Sequence, residues 1–464
     1  MSDLKRPASF NPKKELYIPI EIKARELQSR ILVGGVFALN GYRTYIASKS
    51  IIERAVKNKK DSSGTYLFKS GCAGNAFPKI RKNVELYCVL DEEIGVAILD
   101  KELEENIKCR ANAIDAIDIW FSASMHITSA FKRVCPNHQS KVITTGSPKF
   151  DLWKKKFQCV YDRKSLMLKK TYGDFILFSS DFGFIDDKFA EKEIKKAKVL
   201  AFKNCSDSTS FIQRIKNAKK DFNLFCQDLS LYDKLPNRLP IIIRPHPSEP
   251  QHVWYQRLNN LHNIRVIYQG EISEWLHSCQ ALLHRGCTTA VQAALLGKPC
   301  FFWNPSSSHT AHEQQLLPYS LSVKVNSCSS LPDKNHIWTN EELPSLDIKD
   351  NERIYCPDQL LSSELIFNAI EAKDPRPSSK VLTIPLWLSL YARASQSLLM
   401  LIWAIPPLKK ILSSHRKIRK LQDGIRMDEV ADYLTTLFPG ENILLIEIAP
   451  GVICIEKGPT ARNN

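Results

Sequence analysis

Short apolar runs separated by segments of helical period restrict the folds open to this chain more than any other feature. "LYIPI" is followed by a helix candidate at 22–39, and "TYIAS", "TYLFKS", "VELYCVL", "AIDIWFSAS" and "KVITTGSP" then recur with helices between them. Strands this short and apolar need cover on both faces, which is the situation of a parallel sheet between helices. After "TGSPKFDLW" at 145–153 the series is interrupted by a basic stretch, "KKKFQCVYDRKSLMLKKTYG", which reads as a connection. Alternation restarts with "DFILFSSDFGF", continues through "LPIIIRPHP", "IRVIYQ", "CQALLHRG" and "KPCFFW", and fades near residue 330. The expected architecture is two α/β domains, 1–155 and 173–335, joined by a linker at 156–172 and facing a cleft. An irregular segment at 336–380 and a C-terminal helical extension at 381–464 complete it. A chain of 464 residues lets each domain bury its own core.

Net charge narrows the partners. A formal charge of +16 points to an anion: nucleotide, anionic lipid or nucleic acid. No RNP-like aromatic pattern, zinc finger or helix-turn-helix spacing stands out, so nucleic acid has charge as its sole support and is not expected. The 13 cysteines form no C-x-x-C pair, which argues for free thiols in a reducing compartment. The N-terminal residues show no apolar core followed by a cleavage site, so a cytoplasmic protein is expected. One long apolar region, 381–408, precedes the basic "KKILSSHRKIRK" at 409–420 and carries Arg393 in its middle. A mid-bilayer arginine costs roughly 2.5–3.5 kcal/mol, which favours an interfacial segment with a basic flank, or core packing, over a membrane span.

In open α/β sheets ligands bind beyond the carboxyl ends of strands. "IIIRPHPSEP" at 241–250 places Arg244, His246, Pro247 and Glu249 there, with prolines restricting the backbone and Arg244 able to fork onto a phosphate. The alternative is a surface loop whose Arg244 pairs with Glu249. "LLHRGCTTAVQAALLGKP" brings Cys287, Thr288 and Thr289 to the start of a helix, either as hydroxyl donors to an anion or as ordinary caps. "FILFSSDFG" adds Ser179 and Ser180. In the first domain "VELYCVLDEEIG" ends a strand in Asp91, Glu92 and Glu93, where a carboxylate of raised pKa can act as a base or merely cap a helix. Glu21, Arg25 and Glu26, in "PIEIKARELQ", follow the first strand and either position an acceptor, with Glu21 and Arg25 as the acceptor-site candidates, or pair with one another.

Taken together, "PIEIKARE", "LDEE", "TTGSPKFDLW", "RPHPSE" and "CTTAVQAALLGKP" resemble the bacterial surface carbohydrate biosynthesis proteins, predicted glycosyltransferases of GT-B architecture. More loosely, the chain is similar to the sialyl-, polysialyl- and Kdo transferases that use CMP-activated sugars. The resemblance implies two Rossmann-type domains around a central cleft, with Asp91 or Glu92 as base, His246 and Pro247 as the HP pair, and Thr288 and Thr289 as the hydroxyl motif. "DEEIG" departs from the shorter acidic motif of those enzymes, which leaves the acting carboxylate open. The implied reaction is inverting sugar transfer from a nucleotide-sugar donor to a glycan or lipid-linked acceptor at the inner face of the cytoplasmic membrane. No D-x-D motif is evident, so no metal and no cofactor are expected. A CDP-glycerol glycerophosphotransferase, a sugar-nucleotide epimerase and a basic binding protein are the competing readings.

Overall fold

The computed structural model describes residues 13–69, 77–91, 100–111, 113–204, 209–246, 249–305, 316–336, 352–356, 359–378, 381–405, 407–408 and 420–459. Six parallel strands, β1 (Glu15–Ile20), β2 (Arg43–Ser48), β3 (Thr65–Phe68), β4 (Leu86–Leu90), β5 (Ile119–Ser122) and β6 (Val142–Thr144), build the first sheet in the order β2-β1-β3-β4-β5-β6. A second, wholly parallel sheet contains β7 (Ile176–Ser179), β8 (Ile241–Arg244), β9 (Ile264–Val266), β10 (Ala281–His284), β11 (Cys300–Trp303) and β12 (Val323–Val325), ordered β12-β11-β10-β7-β8-β9. The fold is therefore the expected pair of Rossmann-type parallel sheets.

Successive side chains along a strand enter opposite cores, as the pleat requires. In β1, Tyr17 packs into one apolar cluster while Leu16 and Ile18 pack into another. In β7, Ile176 and Phe178 join one cluster and Leu177 its counterpart. Helix α1 (Lys23–Leu39) returns the chain from β1 to β2, and α2 (Lys49–Lys57) then leads across to β3. The basic connection is itself a helix, α3 (Cys159–Tyr172), ended by Gly173 at φ 69°. It packs against α4 (Ile272–Ser278) of the second domain. Helix α5 (Thr289–Leu295) follows β10.

Beyond residue 335 the chain comes back to the first domain. Helix α6 (Ser362–Glu371) packs on α1, as does α8 (Met427–Leu437), while α7 (Leu386–Ala404) lies on α2. The C-terminal segment is helical at α7 and α8, but it also contains a hairpin that the sequence reading did not foresee. Strands β13 (Ile443–Ala449) and β14 (Val452–Lys457) extend the first sheet to eight, with β14 antiparallel to β2. The apolar alternation in "ILLIEIA" and "VICIEK" is the local signal. Arg43 and Lys13 fasten β14 to the original sheet by ion-pairing Glu456, Lys13 at 2.7 Å. Ten of the cysteines, Cys88 to Cys454, are free thiols.

Val452, Ile453 and Ile455 are fully buried against this domain, and burial of such side chains contributes about 1.5–3 kcal/mol each. Truncation after Phe438 is expected to remove a share comparable to a domain's whole stability, about 5–15 kcal/mol. The measurable outcome is loss of soluble, cooperatively unfolding protein in denaturant titration; an unchanged transition would show that β2 needs no cover.

Candidate functional site

Each sheet reverses its strand order once, and that is where a parallel sheet opens a crevice at the strand carboxyl ends. In the first sheet the reversal falls between β1 and β3, because β1 is followed by β2 on one side and by β3 on the other. The residues just beyond these ends are Glu21 to Glu26 and Lys69. In the second sheet it falls between β7 and β10, beyond which lie Ser179, Ser180 and the Arg285–Thr289 turn.

A cavity of about 520 Å³ opens between the two reversals. Arg25, Glu26, Lys69 and Lys149 line it from the first domain, and Glu271, Ser273, Thr288, Thr289 and Gln292 from the second. Glu26 accepts the backbone N–H groups of Glu21 (2.8 Å) and Ile22 (3.0 Å) and pairs with Lys69 at 2.9 Å, so one carboxylate fixes both sides of the first crevice. Lys149 is set by the "TTGSP" turn. Gly146 there has φ 75°, and a Cβ on it would stand 2.3 Å from the Tyr355 carbonyl oxygen, so only glycine fits. Ser147 then caps the helix Pro148–Leu152, accepting the Lys149 N–H at 3.3 Å.

Of the residues expected from sequence, Arg25, Thr288 and Thr289 line the cavity. Thr288 is exposed and its side chain makes no cap hydrogen bond, while the Thr289 hydroxyl meets that of Ser179 at 3.1 Å across the β7/β10 reversal. Cys287 holds its thiol against the Ser179 carbonyl at 3.9 Å. Glu21 is an ion-pair hub beside the cavity: burial acts to raise its pKa, but Lys420, Lys69 and Lys49 hold the carboxyl down at about 2.

Arg244 takes a different place from the expected one. Its guanidinium is buried and donates to the carbonyls of Gln269, Gly270 (2.9 Å) and Ile267 (3.4 Å), between the rings of Tyr268 and Trp275. Burial lowers its pKa to about 10, which leaves it a cation that locks the β9–α4 connection. Glu249 is no surface partner of Arg244. It is fully buried and accepts from the Ser180 hydroxyl (2.7 and 2.9 Å), Gly183 N–H (2.9 Å), Trp254 indole (3.0 Å) and His246 N–H (3.3 Å). Burial pushes its pKa up while these donors oppose the shift. The effect is to pin the half-buried His246 and its loop to the loop after β7. Asp91 is buried at the end of β4, one strand beyond the reversal, and is not among the cavity-lining residues. Glu92, Glu93 and Pro247 lie outside the described residues.

Glu26, expected beside Arg25 after the first strand, lines the cavity too. Lys69, Lys149 and Glu271 are the contributors that sequence reasoning passed over as site residues. The first two sat within quoted motifs, but their relevance follows only from which strands are neighbours. Glu271, before "ISEW", carries the ordinary signature of a cap, and it does cap α4, accepting the Ser273 N–H at 2.6 Å. Burial, reinforced by nearby Glu274, pushes its carboxyl to about 7 against the lowering effect of Ser273 and Lys149. Among the described residues no group of three His, Cys, Asp or Glu side chains is placed to hold a metal ion.

No family model matches the chain, and no curated protein matches it. Among solved structures it is similar to the UDP-GlcNAc 2-epimerase of Methanocaldococcus jannaschii, at 12% identity over 77% of this chain and 99% of that one, with TM-score 0.41. It is similar as well to S. aureus MnaA with UDP, at 12% identity over 80% of this chain and 100% of that one, TM-score 0.43. A variant of the wall teichoic acid polymerase TagF aligns at 10% identity over 78% of this chain and 90% of that one, TM-score 0.43. Likeness at this level carries no activity over to this chain.

A carboxyl whose pKa is raised on folding binds its proton more tightly in the native state. Glu271 therefore contributes stability that is fully present below the unfolded value near 4.5 and is lost as pH rises through about 7. Glu271→Gln should flatten that dependence, by at most about 3 kcal/mol between pH 4 and pH 8. Thermal melts of both proteins across this range measure it; parallel curves would place the Glu271 carboxyl at its ordinary value.

Proposed function

We propose that the protein is a glycosyltransferase of surface polysaccharide synthesis, which transfers a sugar with inversion from a nucleotide-activated donor, a CMP-ulosonic acid by preference, to a glycan or lipid-linked acceptor. The observation that carries this reading is the cavity itself: both strand-order reversals open onto one chamber, lined by charged and hydroxyl side chains together with apolar ones such as Phe150, Trp153 and Val291. Its size, about 520 Å³, lies in the range of small-molecule sites, roughly 300–1,000 Å³. The second domain supplies the donor side through Thr288, Thr289 and Gln292, and the first supplies the acceptor side through Arg25. His246, on the loop that Glu249 pins beside β7, is kept as a further donor to the leaving nucleotide.

Transfer requires that a base take the acceptor hydroxyl proton while negative charge grows on the departing phosphate. Asp91 is buried and is not among the cavity-lining residues, so we assign the base to Glu271, which lines the cavity and whose carboxyl is raised to about 7. Arg25 and Lys149 supply positive charge around the chamber, the role a metal ion would otherwise fill, and the reaction is read as metal-independent. The acceptor is read as carried at the inner membrane face, on the strength of the basic, apolar C-terminal sequence.

Calorimetry with CMP, CDP, UDP and GDP separates the readings. CMP is expected to bind tightest, equally with and without EDTA, and Lys149→Ala to weaken it about tenfold; preference for CDP would favour glycerophosphate transfer, and preference for UDP an epimerase-like donor site. With an active donor and acceptor in hand, Glu271→Gln should lower turnover about 10²–10⁴-fold and abolish the inflection of rate near pH 7. Full turnover in that variant would return the base to the acidic run at the end of β4.

A further inference from the structure

Helix α7 is apolar on two sides, whereas a helix lying on a water-facing domain needs one apolar side. Leu388, Ala392, Leu399 and Ile402 are buried against the protein. Tyr391 lies under the Arg54 guanidinium at 4.5 Å, and the Gln396 amide donates to the carbonyls of Asp423 (3.3 Å) and Ile425 (3.2 Å). The opposite side carries Leu386, Trp387, Leu390, Leu398 and Leu401, all exposed, Leu386 by 76% and Leu390 by 58%, and the exposed Ile405 follows at its end. With the exposed Ala394 they recur at helical spacing, forming one stripe along the whole helix, about 28 Å at 1.5 Å per residue. Stripes of this kind mark an interaction surface.

Charge decides between the occupants. From residue 375 to 422 the sequence holds nine Lys and Arg and no Asp or Glu. A second copy of this face would bring like charges together, whereas an anionic lipid surface complements both the stripe and its flanks. Trp387, half-exposed at the start of the stripe, suits the boundary between headgroups and acyl chains. Among the described residues no helix is long and apolar enough to cross a membrane, and α7 has its other side fixed to the domain, so it lies along the surface.

The helix is fastened to the start of α1. Gln396 holds residues 423–425. Lys23 pairs with Asp423 at 2.5 Å and Glu429 at 2.6 Å, and Lys420 pairs with Glu21. These contacts tie α7 to the first turn of α1, which bears Arg25 and Glu26 of the cavity wall.

We propose that the outward stripe of α7 docks on an anionic membrane surface, and that this holds the Glu21–Arg25 side of the cavity toward an acceptor carried on lipid. The second clause rests on the proposed function; docking itself rests on α7 alone.

Co-sedimentation of the full chain with vesicles tests it. The protein should bind vesicles of phosphatidylcholine with about 30% phosphatidylglycerol, and bind pure phosphatidylcholine about tenfold more weakly. The triple variant Leu390→Asp, Leu398→Asp, Leu401→Asp alters only exposed positions. It should keep the wild-type melting curve and CMP titration while losing vesicle binding about tenfold. Two outcomes overturn docking: wild-type protein that stays in the supernatant, or a triple variant that sediments like wild type. A dimer in analytical ultracentrifugation that the triple variant abolishes, without vesicle binding, would assign the face to a second copy. Because nucleotide titration and sedimentation are separate readouts, failure of docking leaves the donor-site reading standing, and failure of nucleotide binding leaves docking standing.

Discussion

The Glu274 carboxylate joins the two halves of this molecule, and the cavity exists because they are joined. Glu274 belongs to α4 of the second domain. It is buried, pairs with Lys164 of the connecting helix α3 at 2.6 Å, and accepts from the Tyr433 hydroxyl of α8 at 3.3 Å and the Gln28 amide of α1 at 3.4 Å. Gln28 and Lys164 also donate to the Tyr433 oxygen, at 2.8 and 2.6 Å. A buried charge needs this many partners, since removing one from such a pair typically costs about 3–5 kcal/mol. Three segments distant in sequence therefore converge on one side chain of a fourth, three residues along the chain from Glu271 in the cavity wall.

The same logic, a buried charge satisfied by groups that must then stay in place, arranges the loops beyond the second sheet. Glu249 gathers donors from the loops after β7 and β8. Arg285 pairs with Asp221 at 2.6 Å and Asp181 at 3.3 Å, and lies 4.3 Å from the Phe182 ring. Arg244 does the corresponding work for residues 267–270. These three residues position the polar groups at the cavity, and their own charges are already engaged. That explains why a motif as suggestive as "RPHPSE" contributes rigidity through its first and last members.

Much of this was legible in the sequence. The eleven apolar runs from "LYIPI" to "KPCFFW" each form a strand, because a run of buried β-branched and aromatic residues bounded by polar turns is a local signal. The strand-end rule then located Thr288, Thr289 and Arg25 at the cavity without coordinates. The reading failed where a local pattern has two physical outcomes. An arginine beyond a strand can face a ligand or bind the carbonyls of a neighbouring loop, and Arg244 does the latter because β9 places residues 267–270 beside it. A carboxylate can cap a helix or line a cavity, and Glu271 does both.

The sequence by itself determined the class of fold, the number of α/β units and the strand ends on which polar groups cluster, because these follow from short-range periodicity and burial. Only the tertiary structure decided strand order, the return of β14 to β2 across some four hundred residues, and hence which strand ends face one another. Sheet order is set by hydrogen bonds between distant backbone segments, and nothing in a local pattern names the partner. The face of α7 belongs to the same division: its apolar content is written in the sequence, but which side the domain covers and which it leaves outward depends on where α2 and residues 423–425 come to lie.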